Sequence, residues 1–117
     1  MRADPASALR LVVESLEADK AENVVAIDLA GKSAIADYMI VATGRSQRQI
    51  GAITEHVVQR LKSIGQGVRT EGLRQCDWVL IDAGDVIVHL FRPDIRSFYN
   101  LEKMWSADLS ERQRAVQ

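Results

Sequence analysis

A single cysteine, Cys76, excludes an internal disulfide and any zinc site built on several thiolates, and it suits a reducing compartment. No apolar run approaches the roughly 20 residues that a bilayer-crossing helix needs, so no membrane partner is expected. Met1 to Ala8 carries Arg2, Asp4 and Pro5 and no apolar stretch of the kind a secretory leader requires. A cytoplasmic location is the natural expectation. Neither sign of charge dominates: 15 Lys+Arg stand against 16 Asp+Glu, a net charge of -1. Proteins that draw their affinity from phosphate backbones usually carry a basic surplus, so direct nucleic-acid binding is disfavoured as the main activity. Repeats, low-complexity tracts and linkers are lacking too. With 47% hydrophobic and 26% charged residues, the chain has the makings of one ordinary globular core. The expectation is one domain over residues 1–105, followed by a polar tail over 106–117.

What is present reads in order. The two prolines, Pro5 and Pro93, both stand where a helix can begin. Leu9, Val12, Val13 and Leu16 follow the first at helical spacing, which predicts a helix over about Pro5 to Asp19. Two β-rich runs come next, Asn23–Leu29 and Tyr38–Thr43, with Gly31 as the turn residue between them. Ser46 reads as an N-cap and Gln49 as its capping-box partner. Ile50, Ile53, Val57, Leu61 and Ile64 trace one face of a long second helix, which Gly65 stops. A short strand over Val68–Glu71 and a hairpin of Trp78–Ala83 with Val86–Phe91 follow. After Pro93, Phe98, Leu101 and Trp105 return to helical spacing, with Tyr99 and Glu102 turned outward. The order α-β-β-α-β-β-β-α implies an α+β fold: a mixed sheet of about five strands, with helices mainly on one face.

The hairpin is the most informative segment. Placing its turn around Ala83-Gly84 pairs Ile81 with Val86, Leu80 with Ile87, Val79 with Val88 and Trp78 with His89. Side chains alternate between faces along a strand. One face then carries Val79, Ile81, Ala83, Val86, Val88 and Leu90, all apolar, and is core. The opposite face carries Trp78, Leu80, Asp82, Asp85, Ile87 and His89, aromatic and apolar at its centre and acidic at its rim. Such a face is covered either by the protein's own C-terminal helix or by another molecule. At this point both readings stand.

Catalytic chemistry is harder to find. His56 and His89 have no second His or Cys at metal-ligand spacing. Cys76 has no motif context for a nucleophile. Gly44-Arg45-Ser46 opens a helix after a strand, where an anion could sit. A single glycine, however, is far from a phosphate-cradling loop, and a capped helix start explains it better. Asp82 and Asp85 flank a turn and read as turn-forming residues and partner contacts. No cofactor or metal is expected.

Four stretches together carry a resemblance. They are Asp37-Tyr38-Met39-Ile40-Val41-Ala42-Thr43-Gly44-Arg45-Ser46-Gln47-Arg48-Gln49, then Glu71-Gly72, then the hairpin from Asp77 to Phe91, then Arg96-Ser97-Phe98-Tyr99-Asn100-Leu101-Glu102-Lys103-Met104-Trp105. In that order and combination the chain resembles the ribosomal silencing factor family, also called Iojap-like proteins, from about Leu9 to Trp105. Met39 and Met104 depart mildly from the residues common in that family and stay apolar. The resemblance implies a fold similar to nucleotidyltransferases without their activity. A paired-acid metal site would need a second carboxylate at position 87, where this chain has Ile87. It also implies a partner, the ribosomal protein numbered fourteen on the large ribosomal subunit, whose occupation blocks joining of the small subunit when nutrients are short. Nucleic acid then enters only as part of the ribosome. Ribosomal proteins are commonly basic, so an acid-rimmed aromatic face is complementary to them. Glu71, Trp78, Leu80, Asp82, Asp85, Ile87, His89 and Tyr99 are the expected contact residues. Two other readings remain open: a nucleotidyltransferase-like enzyme acting at Gly44-Arg45-Ser46 with Asp82 and Asp85, and a self-associating module that forms homodimers through the Trp78 face.

Overall fold

The structure is a computed structural model that describes residues 4–31, 34 and 36–94. The chain begins with α1 (Pro5–Ala18), where Pro5 takes the first helical position and the Asp4 side chain accepts the Ser7 N–H at 3.2 Å. Strands β1 (Glu22–Asp28) and β2 (Tyr38–Thr43) follow, then α2 (Gln47–Ser63) and strands β3 (Arg69–Glu71), β4 (Trp78–Asp82) and β5 (Val86–Phe91). The helix expected after Pro93, with Phe98, Tyr99, Leu101 and Trp105, lies outside the described residues, as does the polar tail.

The ends of α2 show local chemistry setting boundaries. The Ser46 hydroxyl accepts the Gln49 N–H at 3.1 Å, as the capping signal predicts. The return bond differs: the Gln49 side-chain oxygen accepts from Arg45 N at 2.7 Å, one residue earlier than a capping box would place it. At the other end Gly65 takes φ +82°, and the Gln66 and Gly65 amides donate back to the Leu61 and Lys62 carbonyls at 3.0 Å each. This Schellman closure satisfies carbonyls that the helix itself cannot.

The five strands form one sheet in the order β1-β2-β5-β4-β3. β2 and β5 run parallel at its centre, and the other neighbours are antiparallel. A parallel pair needs a long crossover, and here α2, β3 and β4 supply it. Both helices pack on one face. Ala8, Val12 and Leu16 of α1 and Ile50, Ile53, Val57 and Leu61 of α2 meet Ile40, Ala42, Val79, Ile81, Val88 and Leu90 in one buried cluster. The expected α+β architecture, helices on one face of a mixed five-stranded sheet, is what forms.

The hairpin register differs from the sequence reading by two residues. Trp78 pairs with Phe91, Val79 with Leu90, Leu80 with His89, Ile81 with Val88 and Asp82 with Ile87. The cause is the turn. Ala83 donates to the Val86 carbonyl at 2.9 Å, so Ala83 belongs to the ladder and the loop is Gly84-Asp85. Gly84 takes φ +82°, which only glycine adopts without Cβ strain, and its N–H is held by the Asp82 carboxylate at 2.9 Å. A shift of two leaves every side chain on its predicted face, whereas a shift of one would have exchanged the faces. Its effect is on neighbours: Trp78 now stands opposite Phe91 rather than His89.

Candidate functional site

The face turned away from α1 and α2 divides into two parts. Across β1, β2 and β5 it holds a second small apolar cluster in which Leu29, Met39, Val41 and Phe91 are buried and Ile27 packs alongside. Across β4 and β3 it opens. Trp78 at the start of β4 keeps 39% of its surface exposed, and Leu80, Asp82, Ile87 and His89 are half-buried beside it. Neither α1 nor α2 covers Trp78, which therefore is not a core tryptophan of the helix-packed side.

The open part is ordered by an aromatic trio. The Trp78 and Phe91 ring centres lie 5.0 Å apart, Trp78 and His89 6.0 Å, and His89 and Phe91 5.9 Å with their planes within 12°. The Trp78 indole N–H donates to His89 Nδ1 at 3.1 Å. An imidazole that accepts at Nδ1 must carry its proton on Nε2, so the bond selects one neutral tautomer. Burial acts in the same direction: it pushes the His89 pKa down from 6.5 to about 4 by removing water from the charged form. The indole is thus oriented by a neutral partner.

The loop after β3 supplies the other wall. Glu71 pairs with Leu80 across the β3–β4 ladder, and Gly72 follows with φ +88°. A Cβ on Gly72 would lie 2.1 Å from the Trp78 carbonyl oxygen, so the loop backbone rests directly against β4. Glu71, Gly72, Trp78, Leu80 and His89 enclose a shallow hollow of about 300 Å³. A larger groove of about 480 Å³ lies between α2 and β3, lined among others by Val58 and Lys62 of α2 and by Val68 and Leu73, which flank β3, and shares none of the aromatic residues.

The residues predicted as contacts are therefore distributed unevenly. Glu71, Trp78, Leu80 and His89 converge on the hollow. Asp82 and Ile87 pair with each other one step further along the hairpin. Asp85 sits at the hairpin tip, where its carbonyl accepts from Asp37 N at 2.8 Å and Tyr38 N at 3.0 Å, so it belongs to a different end of the face. Tyr99 lies outside the described residues. The acidic rim is also less acidic than expected, because Arg69 on β3 approaches Asp82 at 4.0 Å. Sequence reasoning missed Arg69, Gly72 and Phe91. Phe91 was within reach, since it lies two residues from His89 and so on the same face. The Gly72 contact was not, because it depends on a loop folding back on a strand.

At Gly44-Arg45-Ser46 the first two amides and the arginine side chain are already committed within the chain, as a capped helix start requires. Gly44 N donates to the Phe91 carbonyl at 2.9 Å and Arg45 N to Gln49, while the Arg45 Nε donates to Glu22 at 2.6 Å. Among the described residues no three His, Cys, Asp or Glu side chains gather where a metal could be held. No described helix is long and apolar enough to cross a membrane.

The family model described as "Ribosomal silencing factor during starvation" matches residues 2–117. The chain belongs to the ribosomal silencing factor family. The Ribosomal silencing factor RsfS of Zymomonas mobilis is 54% identical over 103 residues, which covers 87% of this chain and 77% of that protein. A crystal structure of a Chromobacterium violaceum protein superposes with a TM-score of 0.85 at 35% identity, covering 89% of this chain and 88% of that one. A more distant mouse relative, named "Mitochondrial assembly of ribosomal large subunit protein 1", is 28% identical over 100 residues, 82% of this chain but 44% of its own length. The bacterial names describe a regulatory, non-enzymatic family acting on ribosomes.

Proposed function

We propose that this protein represses translation in the cytoplasm by binding the large ribosomal subunit, through the ribosomal protein numbered fourteen, and blocking the approach of the small subunit when nutrients are short. The observation that carries the reading is Trp78, 39% exposed on a sheet face that neither described helix covers and held in one orientation by His89. A large aromatic side chain ordered in advance loses little freedom on binding, which is what an interface anchor needs. The family membership supplies the ribosome, and the mouse relative's name agrees with the large subunit. Occlusion needs no catalytic group, and it fits a site made of an aromatic anchor, aliphatic neighbours and carboxylates.

The test is a subunit-joining assay with purified subunits, run beside thermal melts. Trp78→Ala should weaken large-subunit binding by about 2 kcal/mol or more while leaving the protein folded. A folded Trp78→Ala protein that still blocks joining at wild-type concentrations would return the tryptophan to a structural role. The same face is also where a second copy of the chain would dock, so the mass of the free protein should be measured alongside. A homodimer that dissociates on large-subunit binding would show both partners competing for Trp78.

A further inference from the structure

A second copy of the chain has a surface open to it apart from the Trp78 face. We infer that the outer edge of β3 is a self-pairing edge, on which two copies join antiparallel about a two-fold axis at Thr70 and continue one sheet into the other.

Backbone geometry supplies the first support. β3 is the last strand of the sheet, and β4 pairs with it on one side only. Ala83 N bonds the Val86 carbonyl and Arg92 N the Asp77 carbonyl, so the odd-numbered residues of β4 turn their backbone polar groups toward β5. Leu80 and Asp82 therefore bond Glu71 and Arg69, and the Thr70 N–H and C=O point out to the free edge. An antiparallel copy centred on Thr70 satisfies these groups in both chains. The same register sets Arg69 of each copy opposite Glu71 of the other. Opposite charges directly across such a pair stabilise it, whereas parallel pairing would set like charges together. The other edge of the sheet lacks this fit. β1 paired with itself along its length would set Glu22 against Asp28, and its ladder is already irregular between Glu22 and Val25.

The helix side of the same edge repeats the complementarity. Only residues 64–68 join α2 to β3, so the two elements run in opposite directions. Gly51, near the start of α2, stands by Cys76, beyond the end of β3: a Cβ on it would lie 3.7 Å from the Cys76 Sγ. Along the groove between α2 and β3, Glu55 thus belongs to the Leu73 end and Lys62 to the Val68 end, with Thr70 between them. The axis that pairs Arg69 with Glu71 brings Lys62 of each copy toward Glu55 of the other. Neither makes an ion pair with a described residue: Glu55 accepts only from Gln59, at 3.5 Å. Leu73, at 44% the most exposed large apolar side chain among the described residues, is what the second copy covers, together with half-buried Val58 and Val68. Such an interface is isologous, the kind on which closed dimers are built.

Charge reversal and its repair test the edge on the free protein, so the outcome is independent of ribosome binding. Sedimentation equilibrium over a range of concentrations should show a monomer–dimer equilibrium for the wild type. Arg69→Glu, and separately Glu71→Arg, should raise the dimer dissociation constant about tenfold or more, since each sets like charges across the axis at two places. The double variant, Arg69→Glu with Glu71→Arg, restores opposite charges and should return the constant to near the wild-type value. Trp78→Ala should leave the equilibrium unchanged. Thermal melts accompany every variant, and if Arg69→Glu does not fold beside Asp82, Glu71→Arg decides alone. Four results would each overturn self-pairing at β3: a wild type that is monomeric at every concentration, single reversals that associate like the wild type, a folded double variant that stays monomeric, or a dimer lost only on Trp78→Ala.

Discussion

Ile81 and Ile87 are the same residue type on adjacent strands of one hairpin, and they face opposite sides of one sheet. Ile81 points toward α1 and α2 and is fully buried; Ile87 points to the other side, pairs with Asp82 and stays half-buried. The helix side is a continuous packed cluster running from Ala8 to Leu90. On the other side, burial stops at Phe91 and gives way to Trp78, Leu80 and the hollow. Alternation makes both sides apolar, so hydrophobicity alone does not distinguish the packed face from the open one. The difference lies in what each side packs against within the chain.

The sharpest way to break this contrast is to truncate both isoleucines. Ile81→Ala should cost about 3–4 kcal/mol of stability, as a fully buried aliphatic side chain leaves a cavity behind. Ile87→Ala should cost about 1 kcal/mol or less, since less of its surface leaves water on folding. Urea unfolding of the two variants measures this directly, and equal losses would show that the second face is as much a core as the first. Next in size is Gly72→Ala, which meets both the left-handed backbone at φ +88° and the Trp78 carbonyl 2.1 Å from the new Cβ. A loss of about 2–3 kcal/mol is expected, with a change in tryptophan fluorescence as the β3–β4 corner moves.

The smallest effect concerns His89 and depends on pH. Its folded-state pKa of about 4 lies below the 6.5 of an unfolded chain, so the folded protein prefers the neutral ring. The associated stability is fully present above about pH 6.5, falls as pH drops toward 4, and is level below that. Between pH 7 and pH 5 the loss attributable to His89 should be about 2 kcal/mol or less, and His89→Gln should remove it. Urea midpoints at the two pH values, wild type against variant, give the difference. A parallel pH dependence in both proteins would mean that His89 is hydrated and that the far face is wetter than its aromatic packing implies.

Much of this was legible in the chain. Pro5, Ser46 and Gly65 marked helix ends through bonds made within a few residues, and those ends lie where the signals placed them. Period-two alternation sorted the hairpin into its two faces correctly although the assumed turn was wrong, because a register error of two preserves face. The turn itself was misplaced because Ala83-Gly84 and Gly84-Asp85 are both acceptable loops locally. Only the Ala83–Val86 bond, with Asp37 and Tyr38 anchored to the Asp85 carbonyl, decides between them. Glu71, Trp78, Leu80 and His89 were named from the sequence, but their convergence was not readable there, nor was the displacement of Asp85 to the far tip.

The sequence by itself determined the seven described elements, the two faces of the hairpin and the family, since these depend on local periodicity, capping bonds and residue identity. Tertiary structure alone decided that α1 and α2 cover one face and leave Trp78 half-open, that Arg69 offsets Asp82, and that Gly72 locks Glu71 beside the indole. It also decided that His89 stays neutral. Each of these depends on groups from different strands being brought together and stripped of water, and desolvation is a property of the folded surroundings rather than of any run of residues.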